Sequence, residues 1–258
     1  MHPIKIIFFD IDGTLVDPAT GRISEKTAEA LNRLREKGIL RCVVTGRPPA
    51  SLPDFGSLEF DMLSTFNGSY CYSGSEAIYS NPISAKDVRQ VLKNAAAMGR
   101  PVSVAVRNRL AANGIDQDLY DYYRVAGLEL TVAEDFEEVC REDVYQIMLG
   151  YRDGDEPALL LGTEDVKLAI SWERAVDVIP RTGGKGSAIA HILKHYHIAP
   201  EEAMAFGDHQ NDLEMLQAVG TGVAMGNATE ELKAVASDIC GPVSEDGIYH
   251  YCLARGLI

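Results

Sequence analysis

The chain has no run of 18 apolar residues, no CxxC pair, no internal repeat and no low-complexity tract. It is also short of positive charge, with 24 Lys and Arg against 38 Asp and Glu and a formal net charge of −14. The first absence excludes a membrane-spanning helix. The five cysteines, Cys42, Cys71, Cys140, Cys240 and Cys252, are odd in number and far apart. That excludes a zinc ribbon and argues against a disulfide framework; free thiols fit a reducing compartment. The charge deficit argues against nonspecific binding to nucleic acid or to an anionic membrane. An acidic protein that handles an anionic substrate then needs a local cation, from a side chain or a metal. The chain opens on a strand pattern rather than a signal peptide, so the expected location is cytoplasmic.

What is present is a soluble-protein composition, 46% apolar over 258 residues, enough for one large domain or two smaller ones. The first feature is "IIFFDIDGTLVD", from Ile6 to Asp17. Four bulky apolar residues read as a strand buried on both faces. Gly13 and Thr14 read as the loop that ends it. Asp10 and Asp12 are thereby placed at the carboxyl end of a central strand, the edge where open α/β sheets bind ligands. Two acids at that edge are costly unless a cation joins them.

The rest of the chain supplies the fold class. "SEKTAEALNRLREKG" reads as a helix with Ser24 as N-cap and Gly38 just past its end. Strand "ILRCVVT" (39–45) follows, completing a βαβ unit that implies a parallel sheet. "FDMLSTF" (60–66) is a third strand, leading to an Asn67-Gly68 turn and short strands near 70–72 and 77–79. The texture then changes. A helix at 84–99, the alternating and so half-exposed strand "PVSVAVRN", a Tyr-rich helix at 118–126, and strands at 144–151 and 166–171 suggest antiparallel pairing. From Gly183 the α/β rhythm returns, with helices at 185–197, 211–218 and 229–237 around strands at 203–208 and 222–226. The expected architecture is a Rossmann-like, doubly wound parallel sheet with a smaller α+β domain inserted. Its boundaries are core 1–81, insert 82–181 and core 182–258, with linkers near Asn81-Pro82 and Pro180-Arg181.

Four polar signals end or open predicted elements: Asp10-Ile11-Asp12-Gly13-Thr14, Thr45-Gly46-Arg47, Lys185 after Gly183-Gly184, and "GDHQND" at 207–212. A doubly wound sheet gathers such ends at one edge, so Asp10, Asp12, Thr45, Lys185, Asp208, Asn211 and Asp212 are expected to converge. Packed carboxylates demand a divalent cation, and all-oxygen ligands suit Mg²⁺. A lysine, a threonine hydroxyl and backbone N–H groups suit a phosphate. One Asp10 oxygen is then free to attack phosphorus, and Asp12 to protonate the leaving oxygen and deprotonate water.

Competing readings of single motifs are weaker. "DIDG" lacks the later acids and the Glu of a calcium loop. "GGKGS" fails as a nucleotide-binding loop because Ile179 stands where the first glycine is required. A lysine opening a helix opposes the helix dipole, which favours a functional role for Lys185. His191 and His195 have metal-pair spacing, but Ile189, Ile192, Leu193 and Tyr196 form the apolar face of that helix, leaving the histidines to solvent. Tyr120, Tyr122 and Tyr123 read as packing rather than a stacking platform. Cys42 and Cys71 read as core.

In this order, "FFDIDGTL", "VVTGRP", "GGKGSAI" and "FGDHQNDLEML" resemble the four motifs of the haloacid dehalogenase (HAD) superfamily, in its Cof-type branch of Mg²⁺-dependent phosphatases. The resemblance covers the whole chain and implies a core with a large α/β cap between the second and third motifs. It implies that Asp10 is nucleophile and metal ligand, and Asp12 general acid/base and ligand through its carbonyl. Thr45, Gly46, Arg47, Lys185 and Asn211 would bind the phosphoryl group or substrate. Asp208 would be a ligand and Asp212 a support. Two departures stand out: His209 occupies a position where the family commonly has Gly, and Pro48, Pro49 and Pro53 weaken the helix usual after Arg47. Asn67-Gly68-Ser69 resembles a family loop near the cap.

The expected activity is therefore Mg²⁺-dependent hydrolysis of a small phosphate monoester, most readily a sugar phosphate, through an aspartyl-phosphate. A phosphosugar mutase or a pyridoxal phosphate phosphatase uses the same core. A phosphorylated signalling switch shares an acid pair, a Thr and a Lys, but in a shorter chain and another order. Specificity is expected from Arg47 and Asn67 and from a loop around Asn108–Asn113. The sequence is silent on oligomeric state.

Overall fold

The computed structural model describes residues 3–125 and 127–258. Residues 1 and 2 of the first expected core segment, and Ala126 at the end of the helix expected at 118–126, lie outside them. The chain divides into two compact units. The first comprises residues 1–45, 53–79 and 185–258; the second comprises 46–52 and 80–184.

In chain order the first unit begins with β1 (Ile6–Phe9), α1 (Glu25–Glu36), β2 (Leu40–Val44), β3 (Met62–Thr65) and β4 (Tyr70–Ser73), with β5 (Glu76–Ser80) running to the boundary. The second unit holds α2 (Ala85–Ala97), β6 (Val102–Val106), β7 (Arg109–Ala112), α3 (Gln117–Val125), α4 (Phe136–Val139), β8 (Val144–Gly150), α5 (Glu156–Leu159), β9 (Val166–Trp172) and β10 (Ala175–Pro180). The first unit resumes with α6 (Lys185–Tyr196), β11 (Ala203–Gly207), α7 (Leu213–Gln217), β12 (Thr221–Ala224), α8 (Glu230–Val235), β13 (Asp238–Ile239) and α9 (Gly247–Ala254).

The sheet of the first unit runs β13-β12-β11-β1-β2-β3-β4-β5. Its pairs from β13 to β3 are parallel, and β4 joins β3 antiparallel. Successive strands step from β1 through β2 to β3 on one side, and from β11 through β12 to β13 on the other. The order therefore reverses between β1 and β11, and a reversal of this kind leaves a crevice at the carboxyl ends. Ile6, Ile7, Phe8 and Phe9 are fully buried, as their continuous apolar run implies. Burying side chains of this size contributes roughly 1.5–3 kcal/mol each. Phe9 stacks on Phe206 of β11 at 5.5 Å between centroids. The α1 boundaries also follow the sequence reading. Ser24 accepts the Thr27 N–H at 3.0 Å, and Gly38 takes the left-handed φ of +74° just past the helix.

The second unit is a five-stranded sheet, β7-β6-β8-β10-β9, antiparallel at every described pair. Val88 and Val91 of α2, Phe136 and Val139 of α4 and Leu159 of α5 cluster with Val102, Val104, Val106, Ile147 and Leu149. The other face carries α3. Tyr123 shares a 2.5 Å hydroxyl contact with Ser103, and the Tyr122 hydroxyl donates to Asp177 at 3.0 Å.

That second face corrects the half-exposed reading of "PVSVAVRN". Residues 102–106 are all buried. Ser103 alternates with valines because it meets Tyr123 and the Ala111 carbonyl, not because it meets water. The loop expected around Asn108–Asn113 is largely β7, paired to β6 from Arg109 to Ala112. The helix expected at 211–218 is a 3₁₀ turn, Gln210–Asp212, followed by α7. After Arg47 the chain makes a 3₁₀ turn, Pro49–Ser51, and the Arg47 guanidinium donates to the Ser51 carbonyl at 2.8 Å. The breaks between units fall a few residues from 81 and 181, with Gly46–Leu52 grouped in the second unit.

Candidate active site

Parallel pairing sets the carboxyl ends of β12, β11, β1, β2 and β3 along one edge. Asp10 directly follows β1, Asp208 follows β11 and Thr45 follows β2. Lys185 is the first residue of α6. Asn211 and Asp212 lie in the 3₁₀ turn after β11. Of these residues, Asp10, Thr45, Lys185 and Asp212 are buried.

Lys185 organises the acids. Its side chain is 1% exposed, and the ammonium donates to Asp10 Oδ1 at 2.7 Å and to Asp212 Oδ1 at 2.5 Å. Asp212 Oδ2 accepts the backbone N–H groups of Asp208 and His209, both at 3.0 Å. These amides draw the turn tight, which explains why it is 3₁₀ rather than the start of α7. Asp208 Oδ1 accepts the Thr14 hydroxyl at 3.1 Å. Close approach also requires glycine. A Cβ on Gly207 would lie 2.6 Å from the Asp212 Cβ, and one on Gly186 would lie 2.7 Å from the Glu214 carbonyl oxygen.

The electrostatics follow from burial. Burial raises the Asp10 carboxyl from 3.8 to about 7, against the pull of Lys185 and with the push of Asp212 and Asp12. Burial, then Asp10 and Asp212, raise Asp208 to about 8. Burial alone opposes a charged Lys185, but Asp10 and Asp212 together hold it above the ordinary lysine range. So Asp10, Asp208 and Asp212 crowd together beside a single buried lysine, and the site carries more acids than cations.

A divalent cation fits this deficit. Oxygens of Asp10, Asp208 and Asp212 lie within 4.8 Å of one another, and hard all-oxygen donors suit Mg²⁺. Asp212 Oδ1 accepts Lys185 and its Oδ2 two backbone amides, so both oxygens of that carboxylate are engaged. Gly13 lets its loop come close to the Asp208 carboxylate. Its φ is +77°, and a Cβ there would fall 2.1 Å from Asp208 Oδ2. Asp12, unlike Asp10, is exposed. Two acids one residue apart thus occupy opposite environments.

Other expected residues gather less tightly. Asn211 Nδ2 donates to Asn67 Oδ1 at 3.2 Å, and the Asn67 N–H donates to the Thr45 carbonyl at 2.9 Å. Asn67 holds a left-handed φ of +50°, a conformation asparagine tolerates. Gly46 and Arg47 belong to the second unit. His209 is partly buried, and burial pushes its imidazole down. His191 and His195 are exposed as expected, with His191 stacked on Tyr79 at 3.8 Å. All five cysteines are free. No described helix is long and apolar enough to cross a membrane.

Two residues escaped the sequence reading as parts of the site. Thr14 lies inside the first motif, which gives no role to its hydroxyl. Asn227 donates to the Gly13 carbonyl at 2.8 Å. Its signal was the same rule that found the others, a polar residue shortly after a parallel strand, here β12.

A family model of haloacid dehalogenase-like hydrolases matches residues 7–252. YkrA of Bacillus subtilis strain 168, which carries a provisional phosphatase name, is 31% identical over 98% of this chain and 98% of its own. The pyridoxal phosphate phosphatase YbhA of Escherichia coli K12 is 28% identical over 96% of this chain and 97% of its own. The solved structure of a HAD subclass IIB sugar phosphatase superimposes with a TM-score of 0.91 at 31% identity, over 98% of this chain and 100% of that one. The four motifs, the strand reversal that gathers them and a match across nearly the entire length agree: the chain belongs to the haloacid dehalogenase-like hydrolases.

Proposed function

We propose that the protein is a Mg²⁺-dependent phosphatase of small phosphate monoesters that works through an aspartyl-phosphate. The observation that carries this is the buried Lys185 held between Asp10 and Asp212 beside Asp208. An Asp10 oxygen attacks phosphorus as the ester P–O bond breaks. Asp12 gives its proton to the departing alkoxide. The same residue, now a carboxylate, takes a proton from water as that water attacks the aspartyl-phosphate, releasing phosphate and restoring Asp10. The exposure of Asp12 suits a group that must meet both leaving group and water. Lys185, Thr45 and Asn211 would hold the phosphoryl oxygens. A divalent ion bound by Asp10, Asp208 and the Asp12 carbonyl would supply further charge neutralisation there.

The metal part has a direct test. Chelation with EDTA should reduce phosphate release to background, and added Mg²⁺ should restore it. Full-rate turnover by metal-stripped protein would remove the metal from this reading.

Within small esters, sugar phosphates are the first choice. A sugar phosphatase and a pyridoxal phosphate phosphatase resemble this chain to similar degrees, so identity alone does not rank them. The net charge of −14 disfavours polyanionic macromolecules. We read residues 82–181 as an inserted cap that selects substrate, with Arg47 and Asn67 as further specificity residues, and place the protein in the cytoplasm on its free thiols. The test is kcat/KM across hexose phosphates, pyridoxal phosphate, nucleotides and a phosphopeptide. Sugar phosphates should lead. A nucleotide or phosphopeptide preferred tenfold, about 1.4 kcal/mol in the transition state, would overturn the substrate class.

A further inference from the structure

Asn227 lies three residues beyond β12, in none of the four motifs, yet its side chain ties three segments of the first unit together. Its Nδ2 donates to the Gly13 carbonyl at 2.8 Å and approaches Asp208 Oδ2 at 3.5 Å. Its Oδ1 accepts the Val243 N–H at 2.9 Å. These partners fix which end of the amide is which. A flipped amide would set its oxygen against a carbonyl and a carboxylate, and its NH₂ against an N–H.

The neighbouring bonds define what this side chain controls. Thr229, in the same loop, donates its N–H to the Asp208 carbonyl at 3.0 Å. Thr14 holds Asp208 Oδ1, so the two oxygens of that carboxylate meet groups from two different loops. Gly13 has no side chain to fix its own loop. Its N–H donates to the Val16 carbonyl at 2.9 Å, and its carbonyl is engaged by Asn227.

We propose that Asn227 is a positioning residue: its amide donor fixes the Asp10–Thr14 loop against Asp208 and so sets the spacing of the oxygens that would hold the divalent ion. The inference rests on the metal part of the reading above. Groups that orient metal ligands commonly change metal affinity by 10–100-fold when removed.

The competing role is a tether, in which Asn227 merely anchors residue 243 through Oδ1. Asn227→Asp separates the two, because it keeps that acceptor and deletes the donor. Asn227→Ala removes both. The measurement is the apparent Mg²⁺ affinity of the metal-free full chain, by Mg²⁺-dependent melting and by calorimetry, alongside kcat at saturating Mg²⁺. Circular dichroism checks that each variant is folded. Wild type should be stabilised by Mg²⁺. Asn227→Ala should weaken Mg²⁺ roughly tenfold or more, and Asn227→Asp at least as much, with a smaller change in kcat once Mg²⁺ saturates. Wild-type Mg²⁺ affinity in Asn227→Asp overturns the positioning role while leaving the phosphatase reading intact. A wild-type protein that ignores Mg²⁺ overturns the metal reading and this inference with it.

Discussion

Asp10→Asn is expected to lower phosphate release by roughly 10⁴–10⁶-fold, the scale on which loss of a covalent nucleophile acts, while the fold survives. The two halves of that expectation have separate causes. The amide has the shape of the carboxylate but lacks the nucleophilic oxygen. Its carbonyl can still accept from Lys185, which retains Asp212 as its charged partner at 2.5 Å. Burial already disfavours the charged form of Asp10, raising its pKa to about 7. Neutralising it therefore relieves the metal-free protein instead of stranding a charge. The melting temperature without metal should stay the same or rise, and Mg²⁺ should stabilise the variant less than wild type. Steady-state phosphate release and melting curves with and without Mg²⁺ test both halves. A folded Asp10→Asn protein with more than a few per cent of wild-type turnover, beyond the roughly 10⁴-fold loss expected, would mean that another atom attacks phosphorus.

Asp10 was legible because three levels of the sequence agree on it. Ile6–Phe9 are apolar without interruption, so the strand had to be buried on both faces, and an acid at its end had to sit on an edge. The same logic located Asp208 and Thr45. It weakened where polarity serves packing rather than solvent. Ser103 imitated an exposed position because its partner, Tyr123, lies twenty residues away on a helix. The strand β10 was hidden by Asp177, a buried acid that accepts the Tyr122 hydroxyl. Asn227 had the positional signal, a polar residue shortly after β12, but nothing in residue identity told what it would hold. Its partners are a main-chain carbonyl at Gly13 and an N–H at Val243, and main-chain groups leave no trace in residue identity. The position of Arg47 illustrates another limit: its motif joins it to Thr45 in sequence, while the break between compact units falls directly after Thr45.

Lys185→Met should be the most damaging of these changes to stability. Lys185 is 1% exposed and lies between two carboxylates, one of them fully buried. Methionine matches its length and suits the apolar flank of α6, so the loss isolates the charge. Removing one partner of a buried ion cluster costs roughly 3–5 kcal/mol, because the remaining charges keep their desolvation penalty without compensation. For a chain of this size that corresponds to a fall in melting temperature of roughly 6–20 °C. The pH dependence carries the signature of the cause. Asp10 has a folded pKa of about 7 against 3.8 for an unperturbed aspartate, so the folded state binds its proton more tightly than the unfolded state. Stability from this group is present at acid pH and declines as pH rises through that window. Lysine is one of the causes that hold the Asp10 value down. Without it the window extends upward, and the deficit of the variant relative to wild type should widen from pH 6 to pH 8 in metal-free buffer. Mg²⁺ should recover part of the loss, since it supplies positive charge to the same carboxylates, while turnover stays depressed for want of the ammonium on the phosphoryl group. Melting curves across that pH range decide the point. A deficit that is constant with pH would show that lost packing, rather than an uncompensated acid cluster, destabilises the variant.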